Sequence, residues 1–502
     1  MARFELSTLF TDQAVLCRHR EIRVFGKAED GVCLDVTLMD AAGTVLASDR
    51  VTAAGGRFIA CLPPQEAAIN CTLRVSDGQT ASLACDVAIG DVYLAGGQSN
   101  MELELKDADD GYATLRSHEN VLVRYYNVPK YPMDDEAAEQ ANRGACWRSI
   151  RPGEARDMSA VAYFFAMKLQ SALNVPIGVI DCYWGGTSIS CWMEKATLES
   201  IPEGQRYLAE YEKLTAGKTL AQYQAEEAAW QHEMDVWNAQ AEVLKRDHPG
   251  ITAPQLNEQL GPYPWHPPAG AGSPFRPAGL AVSMLRRVVP MTLTGILYYQ
   301  GEEDTWRTER YDELLRTLIR QLRAQFRDPA LPFLNVQLPM WIEAGKADSY
   351  LWPRLRMAQQ AVFDETRHSD LCVLIDQGEY DNIHPTNKHV VGDRLADCAL
   401  RTVYGREAPE PPRATDKYTN GHTLTVRLTQ PLEAPVQPDS LMEIAGEDGV
   451  YHPAEVQTDA RQLHLASTEV DRPVKARYAW TDYALVPYFG KNGLPLAPFC
   501  LE

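Results

Sequence analysis

Short apolar runs alternate with amphipathic helical stretches from about residue 91 to residue 405, and this alternation constrains the fold more than any other feature of the sequence. A strand, a helix and a further strand in this order are typical of a parallel sheet whose strands are joined by crossover helices. We therefore predict an α/β fold with a doubly wound sheet over residues 89–405. The predicted strands are 91–95, 177–181, 295–299, 332–338 and 371–376.

Two helices of this domain are predicted from their periodic apolar faces. Ser159 is a good N-cap for the first helix, which should end at Asn174, just before Pro176. The second apolar stripe runs from Leu314 to Phe326. Both helices are placed between predicted strands, as crossover connections require.

Residues 200–283 interrupt the alternation. Trp230 and Trp237 lie at helical spacing within a long amphipathic stretch, residues 221–245, and we expect this aromatic stripe to be packing surface rather than a ligand site. The stretch that follows, residues 261–274, is too rich in Pro and Gly for regular structure. We interpret the whole segment as an insertion that forms a lid or rim over the site.

Both ends of the chain are rich in short β-prone runs separated by turn signals, which indicates small antiparallel sandwiches. We predict an N-terminal β module over residues 1–88 and a C-terminal β module over residues 406–502. A proline-rich linker, residues 409–412, precedes the second module.

Charge and composition narrow the function classes. The chain has 502 residues and a net charge of −20, which argues against binding to nucleic acid or to an anionic membrane surface. The sequence has neither an apolar stretch of the roughly 20 residues that a membrane span needs nor an apolar secretory signal, so we expect a cytoplasmic protein. The 11 cysteines include no C-x-x-C pair, which favours buried free thiols over disulfides or a zinc site.

Ser99 is the first candidate catalytic residue. It lies in the segment GGQSNM directly after a predicted buried strand, at the sheet edge where open α/β folds bind their ligands. Two glycines before it permit a tight turn. Met101 occupies the position of the last Gly of a G-x-S-x-G elbow, so the sequence disfavours an α/β-hydrolase fold.

His384 is the candidate base. It lies in DNIHP, after the last predicted strand, and Asp381 precedes it by three residues. On one turn of chain, this carboxylate could accept the Nδ1 proton of His384 and leave Nε2 free to take a proton. A helix is predicted from Thr386 to Tyr404, and its N-terminus would disfavour the imidazolium, so that a carboxylate partner is needed.

Two further strand-end turns lie at the same predicted edge. The segment WGGTS begins at Trp184 and contains Gly186, and a Gly-Gly turn exposes backbone N–H groups. The segment YQGE contains Gln300, whose amide is a side-chain donor for an oxyanion, and Glu302, which cannot donate when ionised. Glu302 either braces its loop or contacts the substrate.

Four segments, GDVYLAGGQSNME, WGGTSISCWM, YYQGEEDT and NIHPTNKHVVGDRLA, resemble in this order the sialate O-acetylesterase family of the SGNH-hydrolase superfamily. The resemblance extends to both terminal β modules. It implies a flavodoxin-like, three-layer α/β/α core, a nucleophile at Ser99, a base at His384, and no metal or cofactor. It also implies an oxyanion hole formed by the Ser99 N–H, Gly186 and Gln300.

The sequence departs from that family in two places. Many relatives read QGESN where this chain reads QGEED, so a possible Asn donor is replaced by Asp304. The acid of the triad is the second departure, since some relatives carry Asp two residues before the His and others use a Ser–His dyad. Asp381 is the first candidate here and Asp376 is the reserve.

We hypothesise a carbohydrate O-acetylesterase that acts through an acyl-enzyme on a small-molecule or oligosaccharide acetyl ester. A 9-O-acetylated sialic acid would need a cation in the pocket, for which Arg356 and Arg307 are candidates. Acetylated xylan, xyloglucan or mannan would need aromatic platforms such as Trp184. The remaining alternatives are a phospholipid or thioester hydrolase and a non-catalytic carbohydrate-binding protein.

Overall fold

A computed structural model describes residues 3–265 and 267–502. Met1 and Ala2 of the N-terminal segment and His266 of the Pro-rich stretch lie outside the described residues.

The N-terminal region is built mostly from short antiparallel strands, and β2 is the exception because it pairs parallel with β8. Strands β1, β3 and β6 form a three-stranded sheet, and β4 pairs with both β5 and β7. The strands are β1 (Phe4–Leu6), β2 (Val15–Cys17), β3 (Ile22–Ala28), β4 (Cys33–Met39), β5 (Val45–Thr52), β6 (Arg57–Leu62) and β7 (Ala68–Ser76).

One long strand, β8 (Ala81–Gly97), connects this region to the rest of the molecule. Its first part pairs antiparallel with β7, and its last part lies in the middle of the large parallel sheet. The predicted boundary after residue 88 falls within this strand. Buried apolar residues of the N-terminal strands and of the α/β region form one continuous core. The three-domain division of the chain stays a prediction.

The large sheet is parallel apart from its edge. Its strand order is β10-β9-β11-β8-β12-β13-β14, with only β10 antiparallel to its neighbour in this row. The strands are β9 (Asn120–Asn127), β10 (Trp147–Ile150), β11 (Ile177–Tyr183), β12 (Gly295–Tyr299), β13 (Phe333–Val336) and β14 (Ser369–Cys372). Strand β9 lies between β10 and β11, is parallel to β11, and was not predicted. The five other parallel strands follow the chain order 2-1-3-4-5 among themselves, as in flavodoxin-like sheets. The sequence therefore predicted the α/β class and the five parallel strands, while the finer SGNH assignment stays a prediction.

Helices connect these strands and cover the sheet. Ser159 caps α4 by accepting a hydrogen bond from the Ala162 N–H, and Asn174 ends α4 in a left-handed conformation, as predicted. The α-helices are α1 (Ser99–Glu102), α2 (Gly111–Ser117), α3 (Glu136–Arg143), α4 (Ala160–Leu173), α5 (Lys195–Glu199), α6 (Pro202–Thr215), α7 (Leu220–Asp247), α8 (Ala253–Leu260), α9 (Arg286–Val288), α10 (Tyr311–Gln325), α11 (Leu351–Glu365) and α12 (Lys388–Thr402). Short 3₁₀ helices span Thr8–Phe10, Leu105–Asp107, Ala155–Asp157, Ile189–Trp192 and Glu302–Arg310, and a π-helical turn spans Ala281–Leu285.

The insertion contains α6, α7 and α8. Helix α7 covers the predicted helix and begins with a capping box between Thr219 and Gln222. The indole N–H groups of Trp230 and Trp237 donate to the carbonyls of Pro264 and Gly261. The aromatic stripe is therefore packing surface, as expected, and it holds the Pro-rich stretch against α7.

The C-terminal region forms two four-stranded antiparallel sheets, β15-β16-β20-β19 and β18-β17-β21-β22. Its apolar core includes Met340, Val373 and Ile375 of the α/β region, so the two parts are packed together. The strands are β15 (Ala414–Asn420), β16 (Thr423–Leu428), β17 (Met442–Ala445), β18 (Tyr451–Pro453), β19 (Glu455–Asp459), β20 (Gln462–Ala466), β21 (Lys475–Tyr478) and β22 (Phe499–Leu501).

All 11 cysteines are free thiols. Six are buried as expected, but Cys33, Cys61, Cys85 and Cys146 are exposed on the surface. Over residues 3–265 and 267–502, no helix has the length and apolar character that crossing a bilayer requires.

Candidate active site

Ser99 is the first residue of α1 and lies directly beyond the carboxyl end of β8. This strand lies between β11 and β12, where the strand order reverses, which is the usual ligand position in open α/β sheets. Gly97 makes the turn possible, since its φ is +134° and a Cβ there would lie 2.0 Å from the Tyr299 carbonyl oxygen. The turn leaves the Ser99 side chain half-buried, at the mouth of the crevice.

Ser99 and His384 meet at this edge. The Nε2 atom of His384 lies 2.8 Å from Ser99 Oγ, although the two residues are 285 positions apart in the chain. His384 belongs to the loop before α12, and its backbone N–H donates to Asn382 Oδ1 at 3.1 Å. Helix α12 packs closely on α4, which fixes the position of this loop relative to β8. The distance allows the imidazole to accept the serine proton.

The surroundings of His384 favour its neutral form. Desolvation and the nearby Lys388 ammonium lower the pKa of His384 from 6.5 to about 4, even though part of the ring is open to solvent. A neutral imidazole at pH 7 is the state that a general base requires. The lowered pKa also means that nothing near the ring strongly stabilises the imidazolium.

The predicted hydrogen bond between Asp381 and His384 is contradicted by the structure. Asp381 has a left-handed backbone with φ of +61°, and its two carboxylate oxygens accept from the N–H groups of Ala253 and Ala344, each at 2.8 Å. The reserve candidate, Asp376, forms a two-point ion pair with Arg394 at 2.6 and 2.7 Å. In the described residues His384 Nδ1 has no carboxylate partner, and the geometry is that of a Ser–His dyad.

Replacing Asp381 by Asn is therefore expected to lower kcat/KM for acetate release by less than about 10-fold, because it weakens a loop contact and not a bond to the base. The acidic limb of the pH profile should keep its position. Steady-state kinetics of Asp381→Asn beside Asp376→Asn will check this. A loss of several hundred-fold in the Asp381 variant alone, with a displaced acidic limb, would restore the triad.

Two backbone N–H groups are available to an oxyanion. Among the described hydrogen bonds neither the Ser99 nor the Gly186 N–H has an acceptor, whereas the Gly185 N–H donates to Glu102. A Cβ on Gly185 would lie 3.3 Å from Ser99 Cβ, so the Gly-Gly turn borders the nucleophile. Ser99 and Gly186 can thus act as predicted.

Gln300 is buried and fully engaged, which contradicts its predicted role as an oxyanion donor. Its Nε2 donates to Gln98 Oε1 and the Thr187 carbonyl at 3.2 Å and to Asp304 Oδ2 at 2.5 Å, and its Oε1 accepts from Tyr311. These partners fix the loop after β12. The amide is a structural brace beneath the site.

The structure also corrects the predicted substrate contacts of Arg356 and Glu302. Arg356 is fully buried and donates to the carbonyls of Ala479 and Thr481, so that it joins the α/β region to the C-terminal sheets. Glu302 is buried and accepts a hydrogen bond from Asn100, so it braces its loop against the residue that follows Ser99. Trp184 is half-buried and packs against the core, and its contact with the substrate stays a prediction.

Comparison with known proteins shows which families the chain is similar to. Residues 277–401 match the family model described as carbohydrate esterase, sialic acid-specific acetylesterase. The sialate O-acetylesterase of Mus musculus is 25% identical over 490 residues, covering 89% of this chain and 82% of the relative. The human sialate O-acetylesterase is 24% identical over 485 residues, covering 89% and 79%.

A carbohydrate acetylesterase from Xanthomonas citri has a similar crystal structure, with 27% identity, a TM-score of 0.75, and coverage of 99% of both chains. Over most of its length the chain is similar to sialate O-acetylesterases. It is an esterase of the carbohydrate acetylesterase class, as the resemblance predicted. The segment that this family model matches contains His384 and begins well after Ser99 in the sequence.

A buried network of polar side chains that sequence reasoning missed lies behind the dyad. Asn100 donates to Glu302 Oε1 at 2.6 Å and to the Ile383 carbonyl at 3.0 Å, and its Oδ1 accepts from Lys388 Nζ at 2.5 Å. Asn100, the residue after the nucleophile, is thus hydrogen-bonded to Ile383, the residue before the base. Burial raises the pKa of Glu302 and lowers that of Lys388 to about 7.

Two signals in the sequence could have revealed this buried hydrogen-bond network. Asn100 is the direct neighbour of Ser99. Lys388 lies at the first position of α12, where the helix dipole disfavours a cation, so its presence there requires a nearby acceptor.

Proposed function

We propose that this protein hydrolyses acetyl esters of carbohydrates through an acyl-enzyme formed on Ser99. The observation that carries the proposal is the 2.8 Å contact between Ser99 Oγ and His384 Nε2 at the carboxyl edge of the parallel sheet. A serine hydroxyl is a weak nucleophile unless an adjacent base takes its proton. The N–H groups of Ser99 and Gly186 have no acceptor among the described hydrogen bonds, and the Gly-Gly turn that contains Gly186 borders Ser99.

The reaction proceeds in two halves. Ser99 Oγ attacks the acetyl carbonyl while its proton moves to His384 Nε2, and the carbonyl oxygen becomes an oxyanion held by the N–H groups of Ser99 and Gly186. As the C–O bond to the sugar breaks, His384 returns the proton to the leaving oxygen. Water then repeats the sequence with His384 as base, which releases acetate and restores the free serine.

The substrate that we propose is a 9-O-acetylated sialic acid. The matched family model and the mouse and human relatives carry the sialate name, which supports this choice. Acetate release should be compared between 9-O-acetylated sialic acid and acetylated xylan and mannan. We expect the highest kcat/KM on the sialic acid. A higher value on either polysaccharide would transfer the proposal to plant glycans, and no acetate release from any of them would favour the non-catalytic alternative.

The pH profile tests the role of Lys388. His384 must be neutral to act, so activity falls as the pH drops through its pKa, and the lowered pKa places the acidic limb of kcat/KM below pH 6.5. Lys388 is charged in that range because its own pKa is about 7, and its charge opposes protonation of His384. In Lys388→Met the limb should therefore move to higher pH.

The exposed Lys346 offers a matched control, and Lys346→Met should keep the wild-type limb. Thermal melting will show whether either variant is unfolded in the measured range. If the acidic limb of folded Lys388→Met stays in place or moves to lower pH, the charge of Lys388 does not lower the pKa of His384.

A further inference from the structure

A cavity of about 370 Å³ lies beside the Gly-Gly turn, and the function described above does not use it. Aromatic rings form much of its wall, and both the insertion and the loop after β12 contribute to it. The aromatic residues are Tyr207, Tyr211, Trp265, Phe275 and Trp306.

The cavity adjoins the nucleophile through two consecutive glycines. A Cβ on Gly186 would lie 2.3 Å from the Trp265 ring, and a Cβ on Gly185 would lie 3.3 Å from Ser99 Cβ. Trp265 and Ser99 therefore contact neighbouring residues of one turn. Gly186 lines the cavity and Gly185 borders Ser99, so the cavity begins one residue away from the contact with the nucleophile.

Arg276 gives the cavity its charge. Its Nη1 donates to the carbonyls of Pro132 at 2.5 Å and Ser273 at 2.9 Å, and in the described residues it forms no ion pair with a carboxylate. Burial lowers the pKa of Arg276, although a guanidinium stays charged at neutral pH. A partly desolvated cation without a counterion is unusual in a chain whose net charge is −20.

The other charged groups of the cavity do not cancel this cation. Arg307 is buried between the rings of Tyr207 and Trp306 and is already paired with Glu210. Burial, together with Asp304 and Glu302, raises the pKa of Glu303 to about 8, so that this carboxyl is largely protonated at pH 7. The cavity therefore has a net positive charge.

We propose that this cavity binds the ring of an acidic sugar, with the sugar carboxylate against Arg276 and the apolar faces of the ring against the aromatic wall. The inference rests on the proposed function and specifies how its substrate is selected. A guanidinium binds a carboxylate with charge-assisted hydrogen bonds, whereas a neutral sugar would leave Arg276 without an anion. The insertion thus forms part of the substrate site.

The test compares two forms of one substrate, 9-O-acetylated N-acetylneuraminic acid and its carboxyl methyl ester, which differ mainly in charge. The wild-type enzyme should release acetate from the acid with a kcat/KM about 10-fold to 100-fold above that for the methyl ester, mostly through KM. In Arg276→Gln this ratio should fall to about one, and Arg276→Lys should retain part of it.

Arg287 is a matched control, because it is half-buried nearby but already paired with Asp134 and Glu139. Arg287→Gln should keep the wild-type ratio. If wild-type enzyme hydrolysed the acid and the methyl ester at equal rates, the inference would be overturned without any variant. An unchanged kcat/KM ratio in Arg276→Gln would also overturn it.

Hydrolysis of p-nitrophenyl acetate by wild-type enzyme and by Ser99→Ala separates this inference from the proposed function. If Ser99→Ala keeps the activity, the proposed function fails and the inference fails with it. If Ser99→Ala abolishes the activity while the acid and its methyl ester react equally, only the inference is overturned.

Discussion

Replacing Ser99 by Ala is expected to lower kcat/KM for acetate release by about 10⁴-fold to 10⁶-fold. The variant lacks the oxygen that forms the acyl-enzyme, and the oxyanion donors alone supply only a small residual rate. His384→Gln should cost nearly as much, because the serine proton then has no acceptor. The double variant should be no slower than either single variant, since the two side chains act as one unit.

Acetate release from an activated acetate ester will check this expectation. Ser200 is exposed at the end of α5, and Ser200→Ala controls for the loss of a hydroxyl group as such. It should keep wild-type kinetics. Losses in Ser99→Ala and His384→Gln that multiply in the double variant would show that the residues act independently, contrary to the proposed mechanism.

Replacing Asn100 by Leu should have the second largest effect, this time on stability. The change removes the shared partner of Glu302 and Lys388 and leaves two buried ionisable groups without their hydrogen bonds. A buried group that loses its hydrogen-bond partner costs about 1–3 kcal/mol in the free energy of unfolding, and here two such groups are affected. The variant should also lose the Ile383 contact that holds the base loop, so kcat should fall in whatever fraction stays folded.

Chemical denaturation followed by tryptophan fluorescence will measure the change. Asn238 is exposed on α7, and Asn238→Leu makes the same substitution without a buried partner. That control should change the free energy of unfolding by less than about 0.5 kcal/mol. If Asn100→Leu were as stable as the control variant, the hydrogen bonds of Asn100 with Glu302 and Lys388 would have no structural role.

Local pattern predicted most of the scaffold. The apolar run at residues 295–299 coincides with β12, and the Ser159 cap and the Asn174 end match α4. These features depend on residues that are close in sequence. The boundary between the N-terminal region and the α/β region was less predictable. Strand β8 continues from the N-terminal strands into the central sheet, and no turn signal marks the change.

The site residues that lie within the recognised sequence motifs at strand ends, Ser99 and His384, could be predicted. Ser99 and His384 both follow strands of one sheet, and their meeting follows from the topology. Asp381 was assigned to His384 by sequence distance alone, whereas its carboxylate is taken by the amides of Ala253 in the insertion and Ala344 in another loop. No spacing rule reveals such a competition between distant partners.

Burial accounts for the other differences. Gln300 and Arg356 carry the right donors, but both are buried in the core, where they satisfy carbonyl and carboxylate acceptors that the sequence does not show. Arg276, which no motif marked, faces the cavity because the insertion folds back over the Gly-Gly turn.

Covalent labelling with a fluorophosphonate tests the central claim most directly, because only an activated serine reacts readily with it. Peptide mass spectrometry should locate a single adduct on Ser99, formed in proportion to the loss of esterase activity and greatly slowed in His384→Gln. Full inactivation with the adduct on another residue, or a Ser99 adduct that leaves activity unchanged, would contradict the account.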